Sequence, residues 1–161
     1  MDIEDHVMAE IGRAQELAVA GERDRARGAF EKLWEQVEEA GDPLHVVTLA
    51  HFAADVQDDP ARELEWDLRA LDAVPALTDA RAQRHHPSLR VAGFLPSLHL
   101  NAAAAYAKLG NAAAAAEHLD RAQLHCRHLA DDDYGRMIRD AITRLRGEIP
   151  TPGEGRGAHT C

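Results

Sequence analysis

The sequence has few aromatic and few β-branched residues, and this shortage argues against a β-rich fold. Phe, Trp and Tyr together make up 4% of the 161 residues. Aromatic and β-branched side chains favour strands, whereas Ala, Leu, Glu and Arg, which are abundant here, favour helices. The composition therefore predicts an all-α fold, and the length suffices for one domain that buries most of its apolar surface.

Cysteine and lysine are scarce too. The two cysteines, Cys126 and Cys161, are too few for a disulfide framework. Cys126 continues the apolar stripe of its helix, where we expect a buried thiol. Lys32 and Lys108 are the only lysines, so nearly all basic residues are Arg. Together with the excess of Ala, this bias indicates a GC-rich bacterial genome.

An excess of basic charge and long apolar runs are also missing. The formal net charge is −10, and because nucleic-acid binding needs a basic surface, no nucleic-acid partner is expected. No apolar run approaches the roughly 20 residues that cross a membrane, so no membrane partner is expected. The acidic N-terminus lacks the basic and apolar regions of a secretory signal, which predicts a cytoplasmic protein.

The sequence does contain a repeated helical pattern, which is clearest in residues 96–124. This stretch predicts two antiparallel helices joined at Gly110–Asn111, because Gly suits the left-handed residue that ends a helix and Asn can cap the next one. Apolar residues recur on one side of each helix. They are Leu98, Ala102, Ala103, Tyr106 and Leu109 on the first, and Ala112, Ala115, Ala116, Leu119, Ala122 and Cys126 on the second.

Part of this pattern resembles a known family. The order of Ala103, Tyr106, Gly110, Ala115, Leu119 and Ala122 resembles a tetratricopeptide repeat. The resemblance covers roughly residues 3–145 and implies a right-handed α-α superhelix of about three helix pairs plus a C-terminal capping helix. It further implies a protein- or peptide-binding scaffold or adaptor, not an enzyme, with no cofactor and no metal. Such repeats serve many unrelated partners, so the resemblance does not identify this one.

Start and stop signals divide the rest of the chain. Asp42–Pro43 and Asp59–Pro60 each place a capping residue before a proline at the first helical position, and Gly21 ends the first helix. Helices are predicted at roughly 3–20, 23–40, 43–56, 60–73, 96–109, 112–126 and 134–147. The repeat domain is predicted to span residues 1–148, followed by a disordered tail over 149–161, which is rich in Pro and Gly.

One segment breaks the repeat period. Gly21, the turn at 57–59 and Gly110 are about 37 and about 52 residues apart, whereas this repeat has a period of about 34. An insertion at about residues 75–95 is therefore predicted between the second and third pairs, and insertions often carry specialised function. A pocket walled by this insertion would make the protein a small-molecule-responsive regulatory or accessory domain, which is the alternative function.

The first helices of successive pairs are expected to line a concave groove, and their polar residues form the predicted partner-binding surface. These residues are Thr48, His51 and Asp55 on the third helix, Ser97, Asn101 and Lys108 on the helix from residue 96, and Arg90 and Phe94 from the insertion. Asn101 stands where peptide-binding tetratricopeptide domains place an asparagine that holds a C-terminal carboxylate. No Lys or Arg pair spaced i, i+4 accompanies it.

Two histidine-containing segments invite a catalytic interpretation. His51 and Asp55, at i and i+4, could act as a general base with its orienting carboxylate. They could equally form a local helical hydrogen bond on a solvated face. Ser88 lies near His85 and His86, but no elbow motif or glycine-rich loop frames a nucleophile there.

Three further histidines, His118, His125 and His128, lie on one side of the helix at 112–126 and its continuation. His118 and His125 are two turns apart, roughly 10 Å along the axis, too far to share one ion. His125 and His128 lack a third ligand on that helix. The face also carries Arg121 and points away from the Ala and Leu stripe, so a solvated outer face without a metal is predicted.

Overall fold

Helices make up all the regular structure in residues 5–150, the part of the chain that the computed structural model describes. No strand occurs there, which confirms the predicted all-α class. None of the helices in this part has the length and apolar character that a membrane crossing requires. The chain divides into unit 1 (Met1–Val91) and unit 2 (Ala92–Cys161), and the division falls inside the predicted insertion. Predictions for residues 1–4 and 151–161, including most of the tail, lie outside the described residues.

Unit 1 contains two helical hairpins and a short helix. Its elements are α1 (His6–Val19), α2 (Arg23–Ala40), α3 (Pro43–Asp55), α4 (Pro60–Ala73) and α5 (Asp79–His85), with a 3-10 turn at Val74–Ala76. Helix α1 packs on α2, α3 packs on α4, and α2 also packs on α3. The 3-10 turn and the short helix α5 therefore form the first part of the predicted insertion.

Unit 2 contains one hairpin and a closing helix. Its elements are α6 (Leu95–Lys108), α7 (Ala112–His125) and α8 (Asp133–Glu148), with a 3-10 turn at Cys126–His128 after α7 and another at Val91–Gly93 before α6. The α6–α7 hairpin has the most extensive contact in the unit, and α8 packs on both of its helices.

Polar side chains begin most of the helices. The capping side chain accepts a hydrogen bond from a backbone N–H of the first turn at Asp5, Asp42, Asp59, Thr78, Asn111 and Asp132. Each bond satisfies an N–H that the helix itself leaves without a partner. Gly21, Gly41 and Gly110 have positive φ angles and end the preceding segment in the left-handed conformation. The predicted turn at Gly110–Asn111 and both Asp–Pro helix starts are therefore confirmed.

Large side chains fill the core of unit 1. Those that are fully buried include Ile11, Phe30, Val37, Leu44, Leu49 and Val56. On α4, Trp66, Asp67 and Ala70 are buried, while the leucines of this helix are only half-buried. Trp66 faces inward where its ring meets Trp34 of α2, with ring centroids 5.2 Å apart.

Small side chains dominate the core of unit 2. Ala103, Leu119, Ala122 and Cys126 pack against two isoleucines of α8, Ile138 and Ile142. The buried thiol predicted at Cys126 is confirmed, and burial raises its pKa. The predicted apolar stripe is wrong at Leu109, which is 46% exposed, and Tyr134 of α8 is 49% exposed. Tyr134 is exposed because Ile138 and Ile142, one turn apart, set the inward face of α8.

An arginine and a glycine fix the connection between α7 and α8. The guanidinium of Arg139 donates hydrogen bonds to the carbonyl oxygens of Cys126, Leu129 and Ala130, at 3.3–3.5 Å. These carbonyls follow the end of α7, where helix geometry supplies no partner. Gly135 is buried beneath the Ala130 carbonyl, and a Cβ at this position would overlap its oxygen. The start of α8 can therefore lie this close to the connection only with glycine there.

Candidate functional site

An apolar cleft lies at the end of unit 2 where the α6–α7 turn meets the last turn of α8. Its volume is about 500 Å³. The lining residues are Ala104, Ala107, Lys108, Gly110, Ala112, Leu145, Glu148, Ile149 and Pro150. The hollow exists because the hairpin contributes mainly Ala and Gly, whose side chains end at Cβ or lack it, while α8 contributes larger aliphatic walls.

The chemistry of the cleft suits an apolar group rather than a reaction. Lys108 and Glu148 are its charged lining residues, and the remaining surface is aliphatic or backbone. Ligand sites are typically concave, mostly apolar and about 300–1,000 Å³ in volume, with a few polar groups that fix orientation. The cleft has these properties, and its two opposite charges would orient a bound segment.

The predicted partner-binding surface is divided between the two units. Thr48, His51, Asp55 and Arg90 belong to unit 1, whereas Phe94, Ser97, Asn101 and Lys108 belong to unit 2. Of the eight, Lys108 lines the cleft and the other seven do not.

The side chains of this predicted set differ in exposure. Arg90, Asp55 and Lys108 are exposed, while the other five are half-buried. Ser97 donates its hydroxyl hydrogen bond to the carbonyl oxygen of Phe94 at 3.2 Å, which ties it to the first turn of α6.

His51 does not lie on a solvated helix face, which was the alternative to a catalytic role. The side chain is half-buried and its ring contacts Phe52, with centroids 5.5 Å apart. Burial lowers the pKa of His51, and the nearby Asp55 carboxylate partly opposes that shift. The imidazole is therefore neutral at pH 7.

The insertion contributes a structural contact that the sequence did not predict. Arg81 of α5 donates to both carboxylate oxygens of Asp42, at 2.7–3.1 Å, and to Asp5 at 3.2 Å. His45 Nε2 lies 2.9 Å from both oxygens of Asp5. We call these four residues the polar clamp. It joins the beginnings of α1 and α3 to α5, so it holds the insertion against unit 1.

The electrostatics of the polar clamp follow from its geometry. Burial raises the pKa of Asp5, but hydrogen bonds from His45, the Met8 N–H and Arg81 outweigh it and lower the pKa to about 2. Burial likewise raises the pKa of Asp42, and the hydrogen bond from Arg81 reverses the shift. Both carboxylates are therefore ionised at neutral pH and paired with Arg81, which is the arrangement of a structural contact.

The serine considered as a nucleophile does contact a histidine. Ser88 Oγ lies 2.7 Å from His86 Nδ1, and the same nitrogen accepts the backbone N–H of Ser88 at 3.2 Å. Both side chains are exposed, and the two bonds close a tight turn after α5. The pair thus has a local structural role at the turn before Val91–Gly93.

The solvated outer face predicted for His118 is wrong. His118 is 9% exposed and His99 of α6 is 8% exposed, and their Nδ1 atoms lie 3.0 Å apart. Three further ring contacts extend from this pair, with centroids 5.4–6.0 Å apart. Tyr106 stacks on His118, His125 stacks on His99, and His128 stacks on His125. These five residues form what we call the histidine run, which crosses from α6 to the end of α7.

Burial lowers the pKa of three members of the histidine run. For His99 the pKa falls to about 4, because burial is reinforced by His118, Arg121 and His125. Burial and Arg121 lower the pKa of His118, while Glu117 partly opposes them. Burial also lowers the pKa of His125, whose Nδ1 is buried and has no hydrogen-bond partner within residues 5–150.

The spacing of the ring nitrogens in the histidine run bears on the question of a metal. Within residues 5–150, no group of three or more His, Cys, Asp or Glu side chains is arranged to hold a metal ion. The 3.0 Å between the two Nδ1 atoms is a normal hydrogen-bond distance. The geometry of the pair is that of a hydrogen bond between the two rings.

The histidine run could have been recognised from the spacing of its members in the sequence. His99 and Tyr106 are seven residues apart on α6, and His118 and His125 are seven apart on α7. Seven residues are about two helical turns, so each pair lies on one face. Antiparallel packing then brings His99 to His125 and Tyr106 to His118. Examination of one helix at a time could not reveal this match.

Comparison with known proteins assigns no family to the chain. No protein-family model, no curated protein and no solved structure matches it. The functional interpretation therefore depends on the contacts and chemistry of the residues themselves. Of the arrangements described above, the cleft of unit 2 is the one whose size and lining suit a ligand.

Proposed function

We propose that this protein is a protein- or peptide-binding scaffold or adaptor of the tetratricopeptide-repeat type, and that the cleft of unit 2 receives an apolar segment of the partner. The apolar cleft of about 500 Å³ carries the proposal. A concave site with aliphatic walls and one lysine and one glutamate fits a hydrophobic side chain presented by a peptide. The walls are mainly aliphatic, which suits the burial of an apolar group, so binding rather than catalysis is proposed.

The arrangement of hairpins supports the family part of this proposal. The pairs α1–α2, α3–α4 and α6–α7 are each neighbours in sequence and in contact, and α8 follows as an additional helix. Three pairs and a closing helix are what a short tetratricopeptide-like array contains, and we extend the proposal to a right-handed superhelix in a bacterial cytoplasmic protein. Arrays of this kind bind partners through side chains that their helices present.

The alternative, a small-molecule-responsive domain, needs a pocket at residues 75–95. The cleft has no lining residue from this segment. Arg81, from the helix inside the insertion, is occupied by the polar clamp instead. These two observations favour a structural role for the insertion, and we therefore rank the peptide-binding function first.

A display selection with matched variants tests the proposal. Random peptides displayed on phage are selected on the wild-type protein, and their binding is compared with that to Ala107→Trp and Ala113→Trp. The first change fills the cleft, while the second places the same ring on an exposed position of α7. Selected peptides should share an apolar residue and bind Ala107→Trp at least tenfold more weakly, a loss of about 1.4 kcal/mol.

The outcomes separate the cleft from the originally predicted surface. Peptides that bind Ala107→Trp as well as the wild type would show that the cleft is not the site. If those peptides lose affinity with Asn101→Ala, the surface predicted from sequence is the working one. Equal losses in Ala107→Trp and Ala113→Trp would indicate a general effect of the added ring and contradict the assignment to the cleft.

A further inference from the structure

We propose that the His99–His118 pair is a proton-sensitive lock of the α6–α7 hairpin, which holds the two helices together at neutral pH and releases them when the medium becomes acidic. The proposal concerns regulation and does not depend on what the cleft binds. It rests on the geometry of the pair, on its burial and on the charges around it.

The hydrogen bond between the two rings determines where the pair can take up protons. Two Nδ1 atoms at 3.0 Å make a hydrogen bond only if one carries hydrogen and the other presents its lone pair. One ring is then the Nδ1–H tautomer and the other the Nε2–H tautomer, and both are neutral. A first added proton can bind the free Nε2 of the donating ring, which leaves the hydrogen bond in place but makes that ring a buried cation. A second proton, on the accepting nitrogen, removes the acceptor and leaves two N–H groups facing each other.

Burial raises the free energy of a positive charge on either ring of the pair. Each residue of the pair is less than a tenth exposed, so a cation there loses most of its hydration. The charged and titratable groups that act on the pair and on the adjoining His125 are Arg121, Arg127, His125, His128 and Glu117. Four of them are cationic or become so in acid, and one carboxylate opposes them. Acidification therefore adds repulsion along the whole run.

Protonation of the pair affects both helices of the hairpin. His99 belongs to α6 and His118 to α7, so their hydrogen bond links the two halves of the hairpin. The surrounding contact is made by alanines such as Ala102 and Ala115, which bury little apolar area each. A contact of small side chains has limited energy to oppose two like charges. The hairpin is therefore the part of unit 2 that acid should loosen.

The direction of the pH dependence follows from proton uptake. In an unfolded chain a histidine takes up its proton near pH 6.5, whereas burial holds the pKa of folded His99 at about 4. Between these values the unfolded or opened form binds more protons, so acidification favours it. The lock is complete above about pH 6.5 and is lost as the pH falls toward 4.

Nuclear magnetic resonance of the full-length chain tests the proposal directly. Ring nitrogen spectra at pH 7.5 should show complementary neutral tautomers for His99 and His118. From pH 7 to 4.5, exchange of the α6 and α7 amides should become at least tenfold faster relative to unstructured peptides. Trp34 and Trp66 both lie in unit 1, so their unchanged fluorescence would show that the loosening is confined to unit 2.

Substitutions identify the pair as the cause. The double variant His99→Gln with His118→Gln keeps side chains that can hydrogen-bond but cannot titrate, and it should abolish the acid-dependent increase in exchange. His128→Gln, at the exposed end of the histidine run, is the control and should retain it. A double variant that retains the full pH response would overturn the proposal.

The wild-type spectra remain decisive if the double variant does not fold. Identical tautomers at His99 and His118, or independent titration of both near pH 6.5, would show that no shared proton links them and would refute the lock. Amide exchange in α6 and α7 that does not respond to acid would refute it as well.

Discussion

Unit 1 and unit 2 are built from the same kind of helical hairpin, yet they accommodate interacting polar side chains in different ways. In unit 1 the polar clamp sets carboxylates against a guanidinium, and Arg27 donates to the Val56 carbonyl and pairs with Asp58 at the α3–α4 turn. In unit 2 imidazoles contact imidazoles, and the Nδ1 atoms of His99 and His118 lie at hydrogen-bond distance. Opposite charges stabilise each other over a wide pH range, whereas neutral histidines do so only while they stay neutral.

The polar clamp and the His99–His118 pair should therefore respond to different ranges of acidity. Asp5 has a lowered pKa of about 2, so its contribution is present above its ordinary value near 4 and is lost as the pH falls toward 2. His99 has a pKa lowered to about 4, so the loss there begins near 6.5. Acid sensitivity therefore depends on the partner of each polar group and not on the hairpin fold that the two units share.

The largest effect is expected from the small-residue core of unit 2. Leu119 is fully buried there, and Leu119→Ala should lower the free energy of unfolding by about 2–5 kcal/mol, because alanine neighbours cannot collapse into the cavity. Chemical denaturation followed by circular dichroism measures the change. The matched control is Leu124→Ala on the same helix, which is 60% exposed and should change stability by no more than about 0.5 kcal/mol. Equal effects would show that the inward face of α7 is misassigned.

Removal of the cation from the polar clamp should have the next largest effect, in unit 1. Arg81→Met leaves Asp5 and Asp42 without their guanidinium and should cost about 1.5–3 kcal/mol. Arg84→Met, on the exposed side of the same helix, serves as the control. The pKa of Asp42, measured by carboxyl resonances, should rise in Arg81→Met, because the hydrogen bond from Arg81 is the main cause that lowers it. An unchanged pKa would contradict the contact and weaken the contrast between the units.

The connection between α7 and α8 offers a paired test with glycine. Gly135→Ala would overlap the Ala130 carbonyl oxygen and should destabilise by about 1–3 kcal/mol as backbone or helix shifts to make room. Gly147→Ala, on the same helix with open space around it, should instead be neutral or stabilise by up to about 1 kcal/mol. Thermal melts of the two variants should move in opposite directions. A stabilising Gly135→Ala would show that the close approach is absent.

The smallest effect is expected at the exposed edge of unit 1. The guanidinium of Arg69 lies 5.1 Å and 4.5 Å from the ring centroids of Trp34 and Trp66. Arg69→Gln should cost about 0.5–1 kcal/mol and shift the tryptophan fluorescence, because the cation leaves the ring faces. Arg62→Gln, another exposed arginine of α4, should do neither. If both variants leave the fluorescence unchanged, the arginine does not stack on the rings in solution.

Local signals in the sequence determined the helices and their boundaries. Asp42–Pro43, Asp59–Pro60 and Gly110–Asn111 act through backbone hydrogen bonds and φ angles within a few residues, so each could be recognised without knowledge of the fold. The burial of Cys126 was predictable for the same reason, since it continues an apolar stripe on its own helix. These interactions are short-range, so the residues that make them are close neighbours in the sequence.

The assignment of polar residues to buried or exposed positions was not determined locally. His118 stands beside Arg121 on a face that a single helix presents as solvated, and its burial depends on His99, nineteen residues earlier. Arg81 belongs to a segment without a regular repeat, and its partners Asp42 and Asp5 lie 39 and 76 residues away. A helical pattern shows which residues share a face but not which other helix covers that face.

The sequence by itself determined that the chain folds into helical hairpins, where each hairpin turns, and that small residues bring α6 and α7 close together. Only the tertiary structure decided that His99 and His118 lie at hydrogen-bond distance, that Arg81 closes a clamp, and that the alanines at the α6–α7 turn border a cleft. The physical reason is one of range. Capping and helical periodicity act over a few residues, whereas burial, pKa shifts and cavities depend on atoms that distant parts of the chain bring together.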